Sequence, residues 1–335
     1  AWQGSGTEEK VTRARELMML GRSMLVGARL PRAVAVAQPT WEYSQQRSMA
    51  SLKDLKLRMT SIESIKKITA SMKLVATSKL NGARNDMAKA KAFWDASNLA
   101  FKDGRGAEEM LAEKFQDVTE KEKNRNDLYV LLTSERGLCG SINSSLVRLC
   151  RNVWANNPNF QVIVAGEKGK ASLQTHYAQN LLVAVTEMGN KGKFSFADME
   201  PLVDRIASAE FREARILSNQ FNSVISIEPR VRTLKSKQHI VDEADFYDFE
   251  MDDADKNELL SNLYEHYVGC ALYSGLVENS AAELSARMTS MDNATKNAGD
   301  MLDRLSLQYN RQRQAGITTE LSEIISGAEA VKDVE

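Results

Sequence analysis

Apolar residues recur in alternating steps of four and three along residues 276–331, a stretch that contains no proline. This spacing keeps one stripe of an α-helix turned towards a neighbouring helix, so it predicts a long helix with a heptad seam. An ordinary helix of a long bundle would show the same periodicity. Towards its C-terminal end the seam turns from Leu and Met to smaller and polar side chains, and its positions are Leu284, Met288, Met291, Thr295, Ala298, Leu302, Leu305, Tyr309, Gln312 and Gly316.

A second proline-free stretch, residues 51–103, predicts the helix that packs antiparallel to the first. It carries 11 Lys/Arg and 5 Asp/Glu, whereas residues 256–335 carry 7 Lys/Arg and 12 Asp/Glu. Opposite net charges favour pairing of the two helices over self-pairing. Three consecutive steps of three between Met59 and Ile68 depart from a strict heptad and predict a locally overwound supercoil. The predicted seam contains Leu52, Leu55, Met59, Ile62, Ile65, Ile68, Met72, Val75 and the pair Lys79 and Leu80.

Between the two long helices, short apolar runs alternate with amphipathic segments. Strands are predicted at 128–134, 160–166, 181–188 and 221–234, and helices at 107–115, 141–154, 168–179 and 197–216. This alternation indicates a mostly parallel sheet with helices on its faces. The predicted fold class is α/β, with long antiparallel N- and C-terminal coiled-coil helices and an inserted Rossmann-like α/β domain.

The N-terminal 50 residues form a separate compositional block. Between Leu17 and Trp41 the charged residues are three arginines without an acid, which is typical of a mitochondrial transit peptide. The preceding acidic residues Glu8, Glu9 and Glu16 are unusual for such a peptide. We therefore expect an extension that stays on the protein, with residues 8–20 helical.

A second unusual segment, residues 241–258, contains nine Asp/Glu and one Lys. Such a run predicts a solvated linker, although three aromatic residues within it leave a docking segment open. The predicted division is an extension at 1–50, a helix at 51–106, an α/β domain at 107–240, an acidic linker at 241–255 and a helix at 256–331.

Motifs that carry chemistry are weak in this chain. The loop ERGLCGS at 135–141 could cradle an anion or make a tight turn into a helix with Ser141 as its N-cap. The segment AGEKGKAS at 165–172 does not fit a phosphate-binding loop, because Ala171 stands where a metal-binding hydroxyl is required. The three cysteines and three histidines do not have the spacing of a zinc site. The cysteines also lack the pattern of a disulfide framework, which favours a reducing compartment. We predict no catalytic, cofactor or metal site.

Composition also limits the possible partners. The formal net charge is −1, and the basic helix lacks the interleaved aromatic residues of a nucleic-acid-binding arm, so nucleic acid is not expected. No apolar run reaches the roughly 18 residues of a membrane span.

Three segments resemble one known family, the gamma subunit of F-type rotary ATP synthases. ARMTSMDNATKNAG (286–299) and LQYNRQRQAGITTELSEIISGA (307–328) are similar to its C-terminal helix. SLKDLKLRMTSIESIKKITASMKLVATSKL (51–80) resembles its N-terminal helix, and LLTSERGLCGSINSSL (131–146) resembles its central domain.

The resemblance implies a non-catalytic central stalk without a cofactor. Its hairpin would insert into a ring of three alpha and three beta subunits. Its foot would sit on the membrane rotor ring of c subunits, beside delta- and epsilon-type stalk subunits. The implied location is peripheral, on the matrix side of the mitochondrial inner membrane. The alternative is a non-catalytic coiled-coil scaffold with a Rossmann-like domain, whereas a dehydrogenase-like enzyme would need a dinucleotide motif that the loops lack.

The resemblance also implies contacts with the beta subunits. Lys67, Met72 and Lys73 match the segment that passes an acidic lever loop of the beta subunits, and Arg287 lies in the helix stretch facing it. Contacts with a catch loop of the ring are matched by Arg313, Gln314 and Thr318. Simple solvation of the lysines and seam packing of Met72 remain open. Gly316 stands where the family usually carries a larger residue.

Overall fold

The computed structural model describes residues 40–99, 108–111, 127–155, 159–189, 193–237 and 256–332. The helix expected at residues 8–20 and the acidic segment 241–255 lie outside these residues. The chain divides into two compact units, Ala1–Ser51 and Leu52–Glu335. The side-chain contacts considered below belong to the second unit.

Along the chain, a long helix comes first, a set of short strands and helices follows, and a second long helix comes last. The elements are α1 (Thr40–Leu99), β1 (Glu108–Leu111), β2 (Asp127–Leu132), α2 (Ile142–Trp154), β3 (Phe160–Ala165), α3 (Glu167–Gln174), β4 (Leu181–Val185), a 3₁₀ turn (Phe196–Met199), α4 (Glu200–Ala207), β5 (Glu213–Phe221), β6 (Ile227–Lys235) and α5 (Lys256–Lys332). None of these described helices combines the length and the apolar character needed to cross a bilayer.

The strands form one six-stranded sheet in the order β1-β6-β5-β2-β3-β4. Strands β5, β2, β3 and β4 are parallel neighbours, whereas β6 is antiparallel to both β5 and β1. Strand β2 is buried along its whole length, because helices cover both faces of the sheet. The α/β class, with a parallel sheet and a long C-terminal helix, is confirmed.

The two faces of the sheet carry separate hydrophobic cores. On one face, Leu128, Val130 and Leu132 pack with side chains of α4, α5 and the end of α1. On the other face, Tyr129 and Leu131 pack with the apolar sides of α2 and α3. Alternate residues of one strand therefore serve opposite cores, as the two-residue period of a strand requires.

Two predicted elements in the second half of the sheet have wrong bounds. The strand expected at 221–234 corresponds to β6, but its first residues are the end of β5 and a turn at Asn222–Ser226, in which the Asn222 and Ser223 amides both donate to the Ser226 carbonyl. The helix expected to extend to Ile216 ends at Ala207, and Glu213–Ile216 lie in β5. Long-range pairing with β2 and β6 determines this part of the chain, and a local pattern does not report it.

The short helix predicted at 107–115 is also wrong in its described part. Residues Glu108–Leu111 form strand β1, which pairs antiparallel with residues 230–233 of β6. Ladder hydrogen bonds to an edge strand outweigh the weak helical preference of Glu, Met and Leu.

Helices α1 and α5 contact each other in antiparallel order. Lys73 donates to Asp292 over 2.6 Å, and the hydroxyl of Thr295 donates to that of Thr69 over 2.8 Å. Further down, Trp94 packs on Tyr267 with 5.3 Å between ring centroids. As the residue number rises along α1 it falls along α5, so the two helices run in opposite directions.

The row of α5 positions predicted from the sequence is more shielded than its neighbours, and Thr295 of this row contacts Thr69 of α1. Met291 and Ala298 are buried, and the other positions of that row are partly shielded, including Gly316 near the far end. Their neighbours beyond residue 300 are mostly exposed. These burial classes agree with an inward row on α5.

The α1 half of the predicted seam is wrong between Ile65 and Val75, whereas Leu80 at its end is buried as expected. Ile65, Ile68, Met72 and Val75 are exposed, with about half of the surface of Ile65, Ile68 and Val75 open to solvent. The inward row continues instead in regular steps of four and three, and its members from this point are Thr69, Lys73, Ala76, Leu80, Ala83, Met87, Ala90 and Trp94. The expected overwinding therefore loses its premise, since the steps of three lead from the inward positions Met59 and Ile62 to the exposed positions Ile65 and Ile68.

Candidate functional site

Helix α5 borders the place where an open α/β sheet would bind a ligand. Such ligands lie beyond the carboxyl ends of the strands, where the winding reverses. Here that point is between β2 and β5, because the chain goes from β2 to β3 and β4 and then returns to the other side of β2. Asn219 at the end of β5 donates to Asn279 of α5 over 2.8 Å, so α5 covers the end of this strand.

Gly275 allows this close approach of α5 to the sheet. A Cβ atom at this position would lie 2.8 Å from Leu132 Cδ1, at the carboxyl end of β2. That distance is below any normal carbon–carbon contact, so a larger residue would push the helix away. Beside this contact, a cavity of about 930 Å³ remains open beyond the carboxyl ends of β2, β3 and β4, and its lining includes Glu135, Glu167, Glu187 and Arg287.

The glycine-containing loop after β2 is a tight turn whose polar groups are satisfied by the chain. The Ser134 amide donates to Asn143 Oδ1 over 3.1 Å, and Asn143 Nδ2 donates to Ser134 Oγ over 2.7 Å. Ser141 is at the N-cap position of α2, but its side chain makes no capping hydrogen bond. The tight-turn interpretation fits, whereas the expected side-chain cap is wrong.

The first amides of α3, which an anion would need, already have acceptors. Glu167 N–H donates to Glu135 Oε2, Lys168 N–H to the Ser134 carbonyl and Gly169 N–H to Thr133 Oγ1, over 3.0–3.2 Å. Their engagement disfavours a phosphate site at this helix start. Within the described residues, no group of three or more His, Cys, Asp or Glu side chains is placed to hold a metal ion.

Arg287 binds this loop rather than facing solvent. Its Nη2 donates to the Gly137 carbonyl over 3.1 Å, and it also pairs with Glu283 one helical turn earlier. Burial raises the pKa of Glu283, against the lowering effect of Arg287. Arg287 thus fixes the loop to α5. Its side chain is largely shielded, in contrast to the exposed side chains of Lys67 and Met72 in the predicted lever-loop contact.

The three predicted contact residues of α1 have different surroundings. Lys67 is exposed and pairs with Glu63 on the same helix over 2.8 Å. Met72 lies on the exposed apolar side of α1, whereas Lys73 points inward to Asp292. Only Lys67 and Met72 therefore present their side chains mainly outward.

Asp292 is the electrostatic centre of the contact between the helices. Its carboxylate accepts a hydrogen bond from Lys73 over 2.6 Å and pairs with Lys296 over 2.9 Å. These two hydrogen bonds, led by that of Lys73, lower the pKa of Asp292 to about 2. Because the carboxylate is open to water, solvent screening keeps its contribution to stability modest.

The predicted catch-loop residues lie together on an exposed length of α5. Arg313, Gln314 and Thr318 are all exposed. Thr318 Oγ1 donates to the Gln314 carbonyl over 2.9 Å, so this hydroxyl is bonded within its own helix. The guanidinium and the amide remain the groups best suited to bind carboxylates or carbonyls of a partner.

Exposed apolar side chains mark two surfaces on the long helices. The first, called here the α1 stripe, consists of Ile65, Ile68, Met72 and Val75. The second, called the α5 end stripe, consists of Ile317, Leu321, Ile324 and Ile325, each more than half exposed. Rows of large exposed apolar residues are unusual on a monomer and indicate contact with a partner.

Comparison with known proteins gives consistent matches. The ATP synthase family model matches residues 51–331. The ATP synthase gamma chain of Paracoccus denitrificans is 38% identical, covering 84% of this chain and 100% of that protein. The mitochondrial ATP synthase subunit gamma of Arabidopsis thaliana is 36% identical, covering 82% and 84%. The Drosophila melanogaster mitochondrial subunit is 33% identical and covers 94% of this chain.

The chain belongs to the ATP synthase gamma-subunit family.

Solved structures agree on the fold of this gamma subunit. A chain of the Euglena gracilis mitochondrial ATP synthase aligns with a TM-score of 0.67 at 20% identity, covering 84% of this chain and 95% of the other. A chain of the Tetrahymena thermophila central stalk and c-ring structure aligns with a TM-score of 0.53 at 24% identity, covering 68% of this chain and 99% of the other.

Membership in this family makes the chain a non-catalytic subunit of the proton-transporting ATP synthase. The bonded amides of α3 agree with that role. Two features were not predicted from the sequence. One is the α5 end stripe on the surface, and the other is Asp292 in the contact between the two long helices. The recurrence of Ile317, Leu321 and Ile324 at helical spacing was the available signal for the stripe.

Proposed function

We propose that this gamma subunit is the central rotor shaft of a mitochondrial ATP synthase. Rotation of a membrane ring of c subunits would turn it, and its changing contacts would move the catalytic beta subunits through their conformational states. The observation that carries the proposal is the pair of exposed apolar stripes on helices of a chain whose family match extends over both of them. A shaft that turns inside a ring needs outward apolar surface, and these helices present it.

The proposed action is that of an effector with different contacts in each state of its partners. A ligand shifts a conformational equilibrium only by its differential affinity for the states. An asymmetric shaft meets each beta subunit with a different side, so each one experiences a different set of contacts. No catalytic group of the gamma subunit is required for this coupling.

The proposed contacts are the seven residues identified from the sequence, now in two classes. Lys67, Met72, Arg313, Gln314 and Thr318 are exposed and would touch the beta subunits directly. Lys73 and Arg287 bond to other elements of the chain, and we propose that they act by holding the contact surfaces in place. Their partners Asp292 and Gly137 support that distinction.

The proposed architecture is an antiparallel coiled coil with an inserted Rossmann-like domain. The alternating inward rows of α1 and α5 support the coiled coil, because four-and-three spacing on both helices is the pattern of such a seam. The parallel strands β5, β2, β3 and β4 support the Rossmann-like description. The division into 1–50, 51–106, 107–240, 241–255 and 256–331 belongs to the same proposal.

The proposed partners are alpha and beta subunits, delta- and epsilon-type stalk subunits and the c-subunit ring. The solved structures that share this fold include a rotor and a central stalk with its c-ring, which supports the assignment. The mitochondrial names of several relatives support a location on the matrix side of the inner membrane.

Co-purification tests this function. A complex captured through an affinity tag on the alpha subunit should contain this chain, with alpha and beta each in threefold molar excess over it by quantitative mass spectrometry. The isolated chain should show no ATP binding in calorimetry. If this chain is absent from the captured complex, or if the complex does not contain alpha and beta in threefold excess over it, the proposal is contradicted and the scaffold alternative is favoured.

A further inference from the structure

A buried charged cluster joins helix α5 to the sheet. Arg232 of β6 is 2% exposed, and its Nη1 donates to the Ala271 carbonyl of α5 over 3.1 Å. Its Nη2 lies 3.5 Å from both Ser274 Oγ and Glu278 Oε2. The guanidinium also lies over the ring of Trp94 in α1, 5.1 Å from the ring centroid. One side chain of the sheet thus contacts both long helices.

Glu278 extends the same cluster to a second strand. Its Oε1 accepts a hydrogen bond from the Phe221 amide of β5 over 3.4 Å, while Oε2 lies 3.8 Å from Arg230 of β6. We call Arg230, Arg232, Ser274 and Glu278 the α5–sheet clamp. The clamp ties one turn of α5 to two neighbouring strands by charged groups.

Directional bonds give this interface a property that its apolar part lacks. Hydrophobic burial is non-directional and permits small sliding or rolling of a helix on a sheet. Small residues on α5, such as Gly275, bring the surfaces close but offer no side chain that interlocks with the strands. Buried charge pairs are costly when separated, so they specify one arrangement of the two surfaces.

We propose that Arg232 and Glu278 form the joint that transmits torque between the sheet domain and the shaft. This inference rests on the proposed rotor function. Helix α5 continues from the clamp through Lys332, far beyond the strands, so a force on the sheet reaches the exposed end of α5 through their interface. The two residues are positioning residues: they keep α5 from rolling on β5 and β6 while the shaft turns.

The test uses the intact synthase with the double substitution Arg232→Met and Glu278→Gln. Neutral replacement of both charges avoids leaving one charge buried alone, which is the main cause of instability when such pairs are broken. The glutamine amide introduced by Glu278→Gln retains an oxygen that can accept from the Phe221 amide. ATP hydrolysis and ATP-driven proton pumping are measured on the same preparation in liposomes.

A matched control is available inside the sheet. Arg215 of β5 and Asp127 of β2 form an ion pair that is buried at both ends, with 2.9 Å between Nη1 and Oδ2. The substitutions Arg215→Met and Asp127→Asn remove a buried pair that joins strand to strand. The control should lose stability without losing protons pumped per ATP hydrolysed.

The expected result is a several-fold fall in protons pumped per ATP in the clamp variant, with hydrolysis largely retained and the control ratio unchanged. An unchanged ratio in the clamp variant would overturn the joint. If the double variant does not assemble, Glu278→Gln alone is tested by the same ratio, and a normal ratio again contradicts the inference. A wild-type complex that hydrolyses ATP without pumping protons would instead contradict the rotor function itself.

Discussion

Lys73 of α1 and Asp292 of α5 form an ion pair across the contact between the two long helices, with 2.6 Å between Nζ and Oδ1. This ion pair joins residues of the basic helix and the acidic helix, as their opposite net charges predicted. It lies on the inward row of α1, at a position that an apolar pattern would not select. The opposite charges of the two helices could therefore be read from the composition, whereas the position of this ion pair could not.

The titration of Asp292 tests this contact. Since its pKa is lowered from 3.8 to about 2 in the folded chain, its stabilising contribution is present above about pH 4 and is lost as the pH falls towards 2. Replacing Lys73→Met should raise the pKa of the Asp292 carboxyl, measured by carbon NMR, because its leading hydrogen-bond donor is removed. A carboxyl pKa unchanged by this substitution would show that the contact is absent in solution.

The phase of the α1 row is tested by a pair of substitutions. Leu80 is 5% exposed, so Leu80→Ala should lower the free energy of unfolding by about 2–5 kcal/mol through loss of burial and a cavity. Ile68 is 53% exposed, so Ile68→Ala should change it by no more than about 0.5 kcal/mol. Urea unfolding of the purified chain measures both. Equal losses would restore the seam expected from the sequence.

The error in that seam has a physical cause. A hydrophobic pattern reports every face of a helix that is buried in the working assembly, including faces buried by other chains. Ile65, Ile68 and Val75 form an exposed apolar face, which we propose another chain covers, while Thr69, Lys73 and Ala76 lie on the inward row of small or polar groups. One sequence cannot distinguish an internal apolar row from one reserved for a partner.

The sheet shows which features were locally encoded. Strands β2, β3 and β4 follow apolar runs between clear breaks, and their locations were predicted to within a few residues. The turn between β5 and β6 was signalled by Asn222, Ser223 and Ser226, which are common turn residues. Strand β1 and the start of β5 depend on pairing with distant strands, and nothing in their own residues indicates it.

The exposed length of α5 offers a test of helix stiffness at Gly316. A Cβ atom there meets no atom within 4 Å, so Gly316→Ala should stabilise the helix by roughly 0.5–1 kcal/mol without a clash. Slower amide hydrogen exchange around residue 316 measures the gain. Gly82→Ala is the matched control, since its Cβ also meets open space in α1. Faster exchange near residue 316 would contradict the expectation.

The proposed catch-loop contact predicts a functional loss without a structural one. A charge-assisted hydrogen bond contributes about 1.5–3 kcal/mol, so a bond made in one rotary state biases that state by a comparable amount. The double substitution Arg313→Ala and Gln314→Ala should leave the complex assembled and slow ATP hydrolysis several-fold. Arg311→Ala, at another exposed arginine of the same helix, is the control and should retain the normal rate. Turnover at the unaltered rate in the double variant would make these residues ordinary surface.

Direct observation of rotation tests the central claim. Alpha and beta subunits are assembled with this chain and fixed to a surface, and a probe is attached through a cysteine introduced at Ile225, which is 95% exposed at the β5–β6 turn. We predict that ATP drives the probe around in one direction and that rotation stops when ATP is removed. A complex that contains this chain and hydrolyses ATP while the probe stays stationary would contradict it.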